Sequence, residues 1–515
     1  MRDDLDEVLR RRALGEDESR PDAVERRHAA GGRTARENIA DLVDQGSFVE
    51  YGGLAIAAQR ARRDLQELLE RTPADGLVAG SATVNGELFG DRAACAVLAY
   101  DYMVLAGTQG TIGHRKKDRL FELIERMRLP AVFFAEGGGG RPGDTDYAIV
   151  SGLETRAFAL WARLSGVVPR IAIVSGRCFA GNAVIAGASD LIVATENSSL
   201  GMGGPAMIAG GGLGEVEPDE IGPLRMQGPN GVVDVAAADE AEAVVVAKRL
   251  LSYFQGAVEP GAAPDQTRLR DLVPERRRRA YDVTEVIETL ADSGSVTVLR
   301  PAFAPGMVTA LGRIEGRPLG FVANNPIHLA GAITSDGADK AARFMQLCEA
   351  FGLPLVSLID TPGMMVGPEA EGTALVRHCS RLFVTGAALT VPFAAVILRK
   401  AYGLGAQAMA AGSLHEPLLT VGWPSAELGP MGLEGAVRLG FRRELEAIAD
   451  HDERERKVME LTELAHERAK ALNAATVFEL DDVIDPPESR RLIASTFAAA
   501  AGSSRLPSRR FVDTW

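Results

Sequence analysis

Two stretches of the chain, about 224 positions apart, read as copies of one unit, and a period that long points to duplicated domains rather than a solenoid of small repeats. In the first, Arg128-Leu129-Pro130 leads into the apolar run Ala131–Ala135, an acid (Glu136) and Gly137-Gly138-Gly139-Gly140. In the second, Gly352-Leu353-Pro354 leads into Leu355–Ile359, then Asp360 and Thr361-Pro362-Gly363. Upstream, Lys116 matches Lys340. Downstream, Arg177-Cys178-Phe179-Ala180-Gly181-Asn182-Ala183 matches Lys400-Ala401-Tyr402-Gly403-Leu404-Gly405-Ala406. The best-matched parts are glycine-rich strand-to-helix turns. Such turns aim backbone N–H groups at oxygen atoms, so the duplication predicts two related sites.

A chain of 515 residues exceeds what one core supports, and two halves fit it. Hydrophobic content of 46% and charged content of 24% describe a soluble globular protein. The net charge of −14 argues against nucleic acid as a partner, and the run Arg276–Arg279 reads as solvated surface. Cys95, Cys178, Cys348 and Cys379 are scattered with no CxxC pair, so neither a zinc site nor a disulfide framework is expected, and a reducing cytoplasm is. Leu382–Leu398 is too short to span a membrane comfortably and contains Gly386 and Pro392; it reads as a helix end, a turn and a buried strand.

The short apolar segments Leu77-Val78-Ala79, Ala82-Thr83-Val84 and Ala94–Leu98, alternating with Gly and Asn-Gly turns, are strand and hairpin signals. A helix over Lys116–Arg128 follows, with Leu120, Phe121, Ile124 and Met127 on one face, and then the strand Ala131–Ala135. The second half repeats the order: a hairpin Val308–Ile314/Leu319–Ala323, an amphipathic helix Ala338–Phe351 and the strand Leu355–Ile359. Repeated strand–strand–helix–strand units imply an α/β architecture. Residues 1–45 read as a charged, helix-prone arm with a helix over Ala35–Asp44. Gly256–Arg279 reads as a linker, and Glu444–Ala474 as an exposed or interface helix.

Gly137–Gly140 with Arg141-Pro142-Gly143 is the strongest candidate for chemistry, because consecutive glycines let the backbone lie against a ligand. A helix directly after it could hold an oxyanion on its first N–H groups. Ala401–Gln407 sits at a second strand-to-helix turn; Asp360-Thr361-Pro362-Gly363 alone reads as an ordinary turn, and Gly210–Gly214 as a loop. There is no Gly-x-Ser-x-Gly elbow or His-Glu-x-x-His motif, and His378 reads as a packed, hydrogen-bonded helix residue. Backbone dipoles are left as the catalytic groups, which suits an enolate better than hydrolysis.

From about residue 33 onward the chain resembles the carboxyltransferase (β) subunit of biotin-dependent acyl-CoA carboxylases, of the propionyl-CoA carboxylase β type. The resemblance rests on Thr34-Ala35-Arg36-Glu37-Asn38-Ile39, Gly46-Ser47-Phe48-Val49-Glu50, Asn324-Asn325-Pro326 and Lys340-Ala341-Ala342-Arg343-Phe344. It continues through Asp360-Thr361-Pro362-Gly363, Arg377-His378, Arg399-Lys400-Ala401-Tyr402-Gly403, Trp423-Pro424-Ser425-Ala426-Glu427 and Met431-Gly432-Leu433-Glu434-Gly435.

The resemblance implies an α/β fold of two tandem crotonase-like (ClpP/crotonase) domains, each a ββα superhelix. The implied boundaries are an arm at 1–32, an acyl-CoA-binding domain at 33–258, a linker at 259–285 and a biotin-binding domain at 286–515. It implies a hexamer, a trimer of dimers, with each active site formed between the first domain of one subunit and the second domain of its partner. Catalytic roles fall on the N–H groups of Gly138 and Gly139 for the thioester oxygen, and of Leu404 and Gly405 for biotin. Substrate-binding roles fall on Lys116, Gly137, Gly140, Arg141, Ala180, Gly181 and Gln407. Biotin-binding roles fall on Gly363, Tyr402, Gly403 and Ala406. Carboxybiotin would arrive on a separate biotin carrier with its biotin carboxylase, since no Met-Lys biotinylation pair and no ATP-grasp signature occur in the chain. No metal, nucleic acid or membrane insertion is expected. Gln407 stands where propionyl-type relatives carry Asp, and Leu404 where they carry Gly, so the acyl group stays open. The same residues would also serve an acyl-CoA decarboxylase subunit running the reverse half-reaction, or a non-catalytic acyl-CoA-binding assembly protein.

Overall fold

The computed structural model describes residues 2–141, 143, 144, 146, 153–501 and 511–515. The chain divides into two compact units, Met1–Gly256 with Phe511–Thr514, and Ala257–Arg510 with Trp515.

The first unit is built on a seven-stranded sheet with the strand order β1-β2-β3-β4-β5-β7-β9. These strands are β1 (Val49–Glu50), β2 (Leu77–Thr83), β3 (Ala94–Tyr100), β4 (Ala131–Phe134), β5 (Arg170–Val174), β7 (Leu191–Thr195) and β9 (Val235–Ala237). A separate parallel pair is formed by β6 (Arg177–Phe179) and β8 (Ser199–Gly201). β2 and β3 are antiparallel, and β3 then pairs parallel to β4 after a crossover through the helix Thr111–Met127. Leu120, Phe121, Leu123 and Ile124 are the buried apolar side chains of that helix, in a core with Leu77, Leu98, Phe133 and Trp161. Met127, expected on that face, is the last helical residue and is 51% exposed. The helix also begins earlier than its apolar periodicity showed, since its first turn, Thr111-Ile112-Gly113-His114, has Ile112 as its one large apolar side chain.

The second unit repeats the plan in an eight-stranded sheet. It contains β10 (Thr297–Leu299), β11 (Met307–Ile314), β12 (Arg317–Asn324), β13 (Leu355–Thr361), β14 (Phe393–Tyr402), β15 (Leu419–Gly422), β16 (Glu427–Gly429) and β17 (Asp482–Val483). β11 and β12 form the expected antiparallel hairpin, and the helix Ser335–Phe351 carries the chain across to parallel β13. Both crossover helices have 17 residues. Both end on a left-handed residue, Arg128 in one copy and Gly352 in the other. The 259–285 stretch expected as a linker lies in the second unit, where Leu269, Val273 and Tyr281 are buried in the core with Val283, Phe321, Val356 and Trp423.

A further echo precedes each crossover helix. Leu105-Ala106-Gly107 and Leu329-Ala330-Gly331 both run through positive φ, at 49°, 55° and 62° in one and 49°, 54° and 87° in the other. Non-glycine residues are held there at a cost, so the tertiary structure imposes the same kink twice. The N-terminal arm is tied to the first unit by Arg20 to Asp101 (2.6 Å) and Arg27 to Glu136 (2.6 Å). The charged C-terminal stretch forms three helices, of which His451–Ala469 buries only Val458 and Ala469.

Candidate active site

Each strand that ends the repeated unit delivers an acid and then a tight turn. In the first unit β4 leads to Glu136, held in two contacts by the Arg27 guanidinium at 2.6 and 2.9 Å. Burial pushes the Glu136 carboxyl up to about 7, and the guanidinium opposes the rise. In the second unit Asp360 is fully buried within β13, accepting from Tyr281 Oη (2.9 Å), Arg399 Nε (3.0 Å) and the Lys400 amide (3.2 Å). Asp360 and Thr361, expected in a turn, are thus strand residues, and the turn begins at Pro362.

The glycines after β4 are not equivalent. A Cβ on Gly137 would lie 2.1 Å from Gly107 O, and one on Gly139 (φ +88°) 2.8 Å from Ala180 Cβ, whereas one on Gly140 meets nothing within 4 Å. Glycine is therefore required at two of these positions by close approach of backbone, not by a general need for flexibility. Their amides are also engaged. Gly137 N–H donates to Arg177 O (2.6 Å), Gly138 N–H to Ala106 O (3.2 Å) and Gly139 N–H to Asn182 Oδ1 (3.1 Å). Gly139 O accepts from Gln109 N–H at 2.7 Å. Beside this turn, Ala180 (φ 50°) caps the helix Gly181–Gly187, whose first N–H groups have no intrahelical acceptor. The helix expected directly after Gly140-Arg141 falls on residues outside the described ones.

Two long cations assigned to substrate are occupied elsewhere. Arg141 is held by Asp75 Oδ1 (2.7 Å), Asp144 Oδ1 (3.2 Å) and Thr108 O (2.9 Å), with its side chain 6% exposed. Lys116 donates to the carbonyls of Ala74 and Leu77, as its repeat partner Lys340 does to those of Arg300 and Phe303. Burial lowers the Lys116 amine to about 8. Both side chains brace the backbone, because buried carbonyls need donors and a lysine or arginine stem can reach them.

In the second unit Gly363 (φ +125°) donates its N–H to Thr361 Oγ1 (3.1 Å), and its carbonyl accepts from Ile333 N–H (3.1 Å). β14 runs into the helix Gly403–Met409, with Tyr402 as its N-cap residue. Leu404, Gly405 and Ala406 therefore present N–H groups in the first helical turn. A Cβ on Gly405 would lie 2.6 Å from Gly363 Cα, so the two turns touch backbone to backbone. The Leu404 side chain is 63% exposed and leaves that contact clear, so the bulk expected from replacing a glycine does not enter it. Gln407 is exposed and lines, with Gly403, Leu404 and Ala406, a cleft of about 640 Å³ closed by Leu428, Pro430 and His415.

Sequence reasoning missed the support beneath Tyr402. Its hydroxyl donates to Glu427 Oε2 (2.9 Å); the same carboxylate meets His466 Nδ1 (2.9 Å) and Arg277 Nε (3.0 Å). Arg277 belongs to the run read as solvated surface; all four residues Arg276–Arg279 are exposed, and Arg277 nonetheless reaches Glu427. His378 behaves as expected, meeting Asp339 Oδ2 at 2.6 Å. Among the described residues no group of three His, Cys, Asp or Glu side chains is placed to hold a metal ion, and no helix is long and apolar enough to cross a membrane.

Two matched turns on a duplicated α/β scaffold have a known counterpart: residues 26–512 match the carboxyl transferase domain. The chain belongs to that family. It is 33% identical over 491 residues to the methylmalonyl-CoA carboxyltransferase 12S subunit of Propionibacterium freudenreichii subsp. shermanii, covering 92% of this chain and 89% of that protein. It is 33% identical over 451 residues to the propionyl-CoA carboxylase beta chain of Saccharopolyspora erythraea, covering 84% and 80%. Among solved structures, the transcarboxylase 12S hexamer superposes with a TM-score of 0.84 at 31% identity, over 97% of this chain and 95% of that one. A single-chain, multi-domain long-chain acyl-CoA carboxylase superposes with a TM-score of 0.92 at 57% identity, over 96% of this chain. The chain spans about half of that larger protein, 49% of its length. The fold is the crotonase-like fold of these carboxyltransferases, and membership makes the protein an acyl-CoA carboxyltransferase of the biotin-dependent type.

Proposed function

We propose that the chain moves a carboxyl group from carboxybiotin to the α-carbon of an acyl-CoA, holding an enolate at the Gly137–Gly140 turn and the biotin ureido oxygen at the Leu404–Gly405 turn. The observation that carries this is the paired geometry. In each unit a strand-end turn (Gly137–Gly140, Pro362-Gly363) lies against the start of a helix (Gly181–Gly187, Gly403–Met409), and neither arrangement needs a side-chain base. Carboxybiotin supplies carbon dioxide and, once decarboxylated, a ureido group that takes the acyl α-proton. The chain's part is to place and stabilise charge. Leu404 and Gly405 N–H groups lie in the first turn of a helix beside an open cleft, which fits a ureido oxygen. In the first unit Gly138 N–H, whose acceptor is a backbone carbonyl (Ala106 O) and not a side chain, is the donor an enolate oxygen would recruit, with Gly139 fixing the turn. Each such donor is worth ~3–4 kcal/mol of transition-state stabilisation.

The biotin arrives on a separate carrier or on further domains of a longer chain, and the protein assembles as a hexamer like the 12S relative. The acyl group is long: the 57% identity to the long-chain acyl-CoA carboxylase exceeds that to either propionyl or methylmalonyl relative. Four free, buried thiols suit a reducing compartment. The test is bicarbonate fixation with candidate biotin-carrying subunits against acyl-CoAs from propionyl to palmitoyl. Turnover that rises with chain length is expected. Binding of acyl-CoA with no transfer in any pairing would overturn the assignment and leave a non-catalytic acyl-CoA-binding protein.

A further inference from the structure

A buried chain of hydrogen bonds runs from the crossover helix to the acyl-facing turn. Lys117, wholly buried, donates its amine to Gln109 Oε1 and to Tyr100 Oη (2.9 Å). Gln109 Nε2 donates to Asn182 Oδ1 at 3.0 Å. Asn182 Oδ1 also accepts the Gly139 N–H at 3.1 Å, while its Nδ2 donates to Gly107 O and Glu136 O, both at 3.3 Å. Gln109 is 4% exposed and Asn182 0%.

We infer that Lys117 is a positioning residue for the reaction, setting through Gln109 and Asn182 the direction of the side-chain hydrogen bonds that hold Gly139 and the carbonyls of Gly107 and Glu136. An ammonium has only donors, so Gln109 must face it with its oxygen, and its amide nitrogen is then left to face Asn182. Asn182 must answer with oxygen, which is what Gly139 N–H requires, and its nitrogen is left for the two carbonyls. A neutral amine keeps the same polarity, since Tyr100 can donate to its lone pair while an N–H still reaches Gln109. Reversing any amide would set donor against donor in a dry site, at the cost of leaving buried polar groups unpaired.

The duplication supplies a control inside the molecule. At the matching positions of the second unit stand Ala341, Ile333 and Gly405, none of which can carry such a chain. There the Gly363 N–H is satisfied locally by Thr361 Oγ1. One scaffold thus holds its biotin-facing turn by contact of backbones and its acyl-facing turn by a polar relay. A relay kept in only one copy points to the charge that develops at that copy.

The inference rests on the proposed function for its catalytic meaning, so its test has a readout independent of turnover. Lys117→Met keeps the stem and removes the donor; Gln109→Glu can still accept from Lys117 but cannot donate to Asn182. Both are expected to speed amide hydrogen exchange in the peptide spanning residues 134–141 by about tenfold or more, leaving the peptide spanning 357–365 unchanged. In the carboxyl-transfer assay both should lower kcat by roughly 10- to 100-fold with little change in KM for acyl-CoA. The double variant should lose no more than the worse single one, because both break one chain. Should Lys117→Met fail to fold, Gln109→Glu decides alone. Wild-type exchange and kcat in either folded variant would overturn the inference, as would loosened exchange throughout the unit, which marks a merely structural lysine. If the wild type transfers no carboxyl group at all, the proposed function fails while the exchange result still decides the relay.

Discussion

Gly405→Ala isolates the contact on which the turn proposed to face biotin depends. The added Cβ would stand 2.6 Å from Gly363 Cα, 2.7 Å from Gly363 C and 3.1 Å from Met364 N. All three are backbone atoms, and Gly363 is pinned by Thr361 Oγ1 and by Ile333 N–H. Carbon atoms rest at about 3.5–4.0 Å, so one turn must move by roughly 1 Å. Overpacking of this kind costs about 1–3 kcal/mol of stability. A displacement of ~1 Å at a positioning element costs on the order of 100-fold in rate, comparable to losing one oxyanion donor. The assay pairs thermal unfolding with carboxyl transfer from carboxybiotin. We expect kcat to fall about 100-fold, with acyl-CoA affinity retained because the first unit is untouched. Leu404→Ala is the control: its side chain is 63% exposed, its N–H survives, and kcat should change by less than about threefold. A folded Gly405→Ala enzyme with wild-type kcat, or one that loses acyl-CoA binding instead, would refute the assignment of this turn to biotin.

Gly139→Ala should cripple transfer while Gly140→Ala leaves it near wild type, because only the first meets Ala180 Cβ at 2.8 Å; equal effects in kinetic assays would count against the close-approach argument. Arg128→Gly, at a left-handed helix end with φ 56°, should raise stability by about 0.5–1 kcal/mol in denaturant unfolding, the gain from relieved strain exceeding the added chain entropy. Lys116→Met should lower stability by ~1–3 kcal/mol, leaving the Ala74 and Leu77 carbonyls without their donor, yet keep KM for acyl-CoA in the folded fraction. Burial lowers the Lys117 amine to about 7, the nearby charges being Asp118 on its own helix and Asp75, with His114 also close by. Between that value and the ordinary lysine range the unfolded chain binds more protons, so this group's contribution to stability grows as pH rises from about 7 to about 10.5 and is lost on acidification. The difference in unfolding free energy between wild type and Lys117→Met should slope upward across that window, and a flat difference would show that the amine titrates normally.

The glycine turns and the strand–helix–strand order were legible because they depend on local rules: period-2 and period-3.6 apolar patterns and residues that permit tight backbone. The partners of the cations near the turns were not legible. Lys116 and Arg141 were assigned to substrate by resemblance, and in the fold they donate to the Ala74 carbonyl and the Asp75 carboxylate, which local pattern does not reveal. Lys117, one position along, is invisible to pattern reasoning, because its partner Gln109 meets Asn182 only once the folded unit brings Gln109 against Gly140 and Gly137 against Cys178. Arg277 likewise looked solvated until the fold brought Glu427 to it.

The repeat of about 224 residues determines, from sequence alone, that this protein has two copies of one α/β unit with matched strand-to-helix turns. Which amides in those turns are free, which glycines are obligatory and which cations only brace the backbone were decided by tertiary structure. Hydrogen bonds and steric contacts act over about 3–4 Å, and only the folded chain says which atoms, distant in sequence, come within that range.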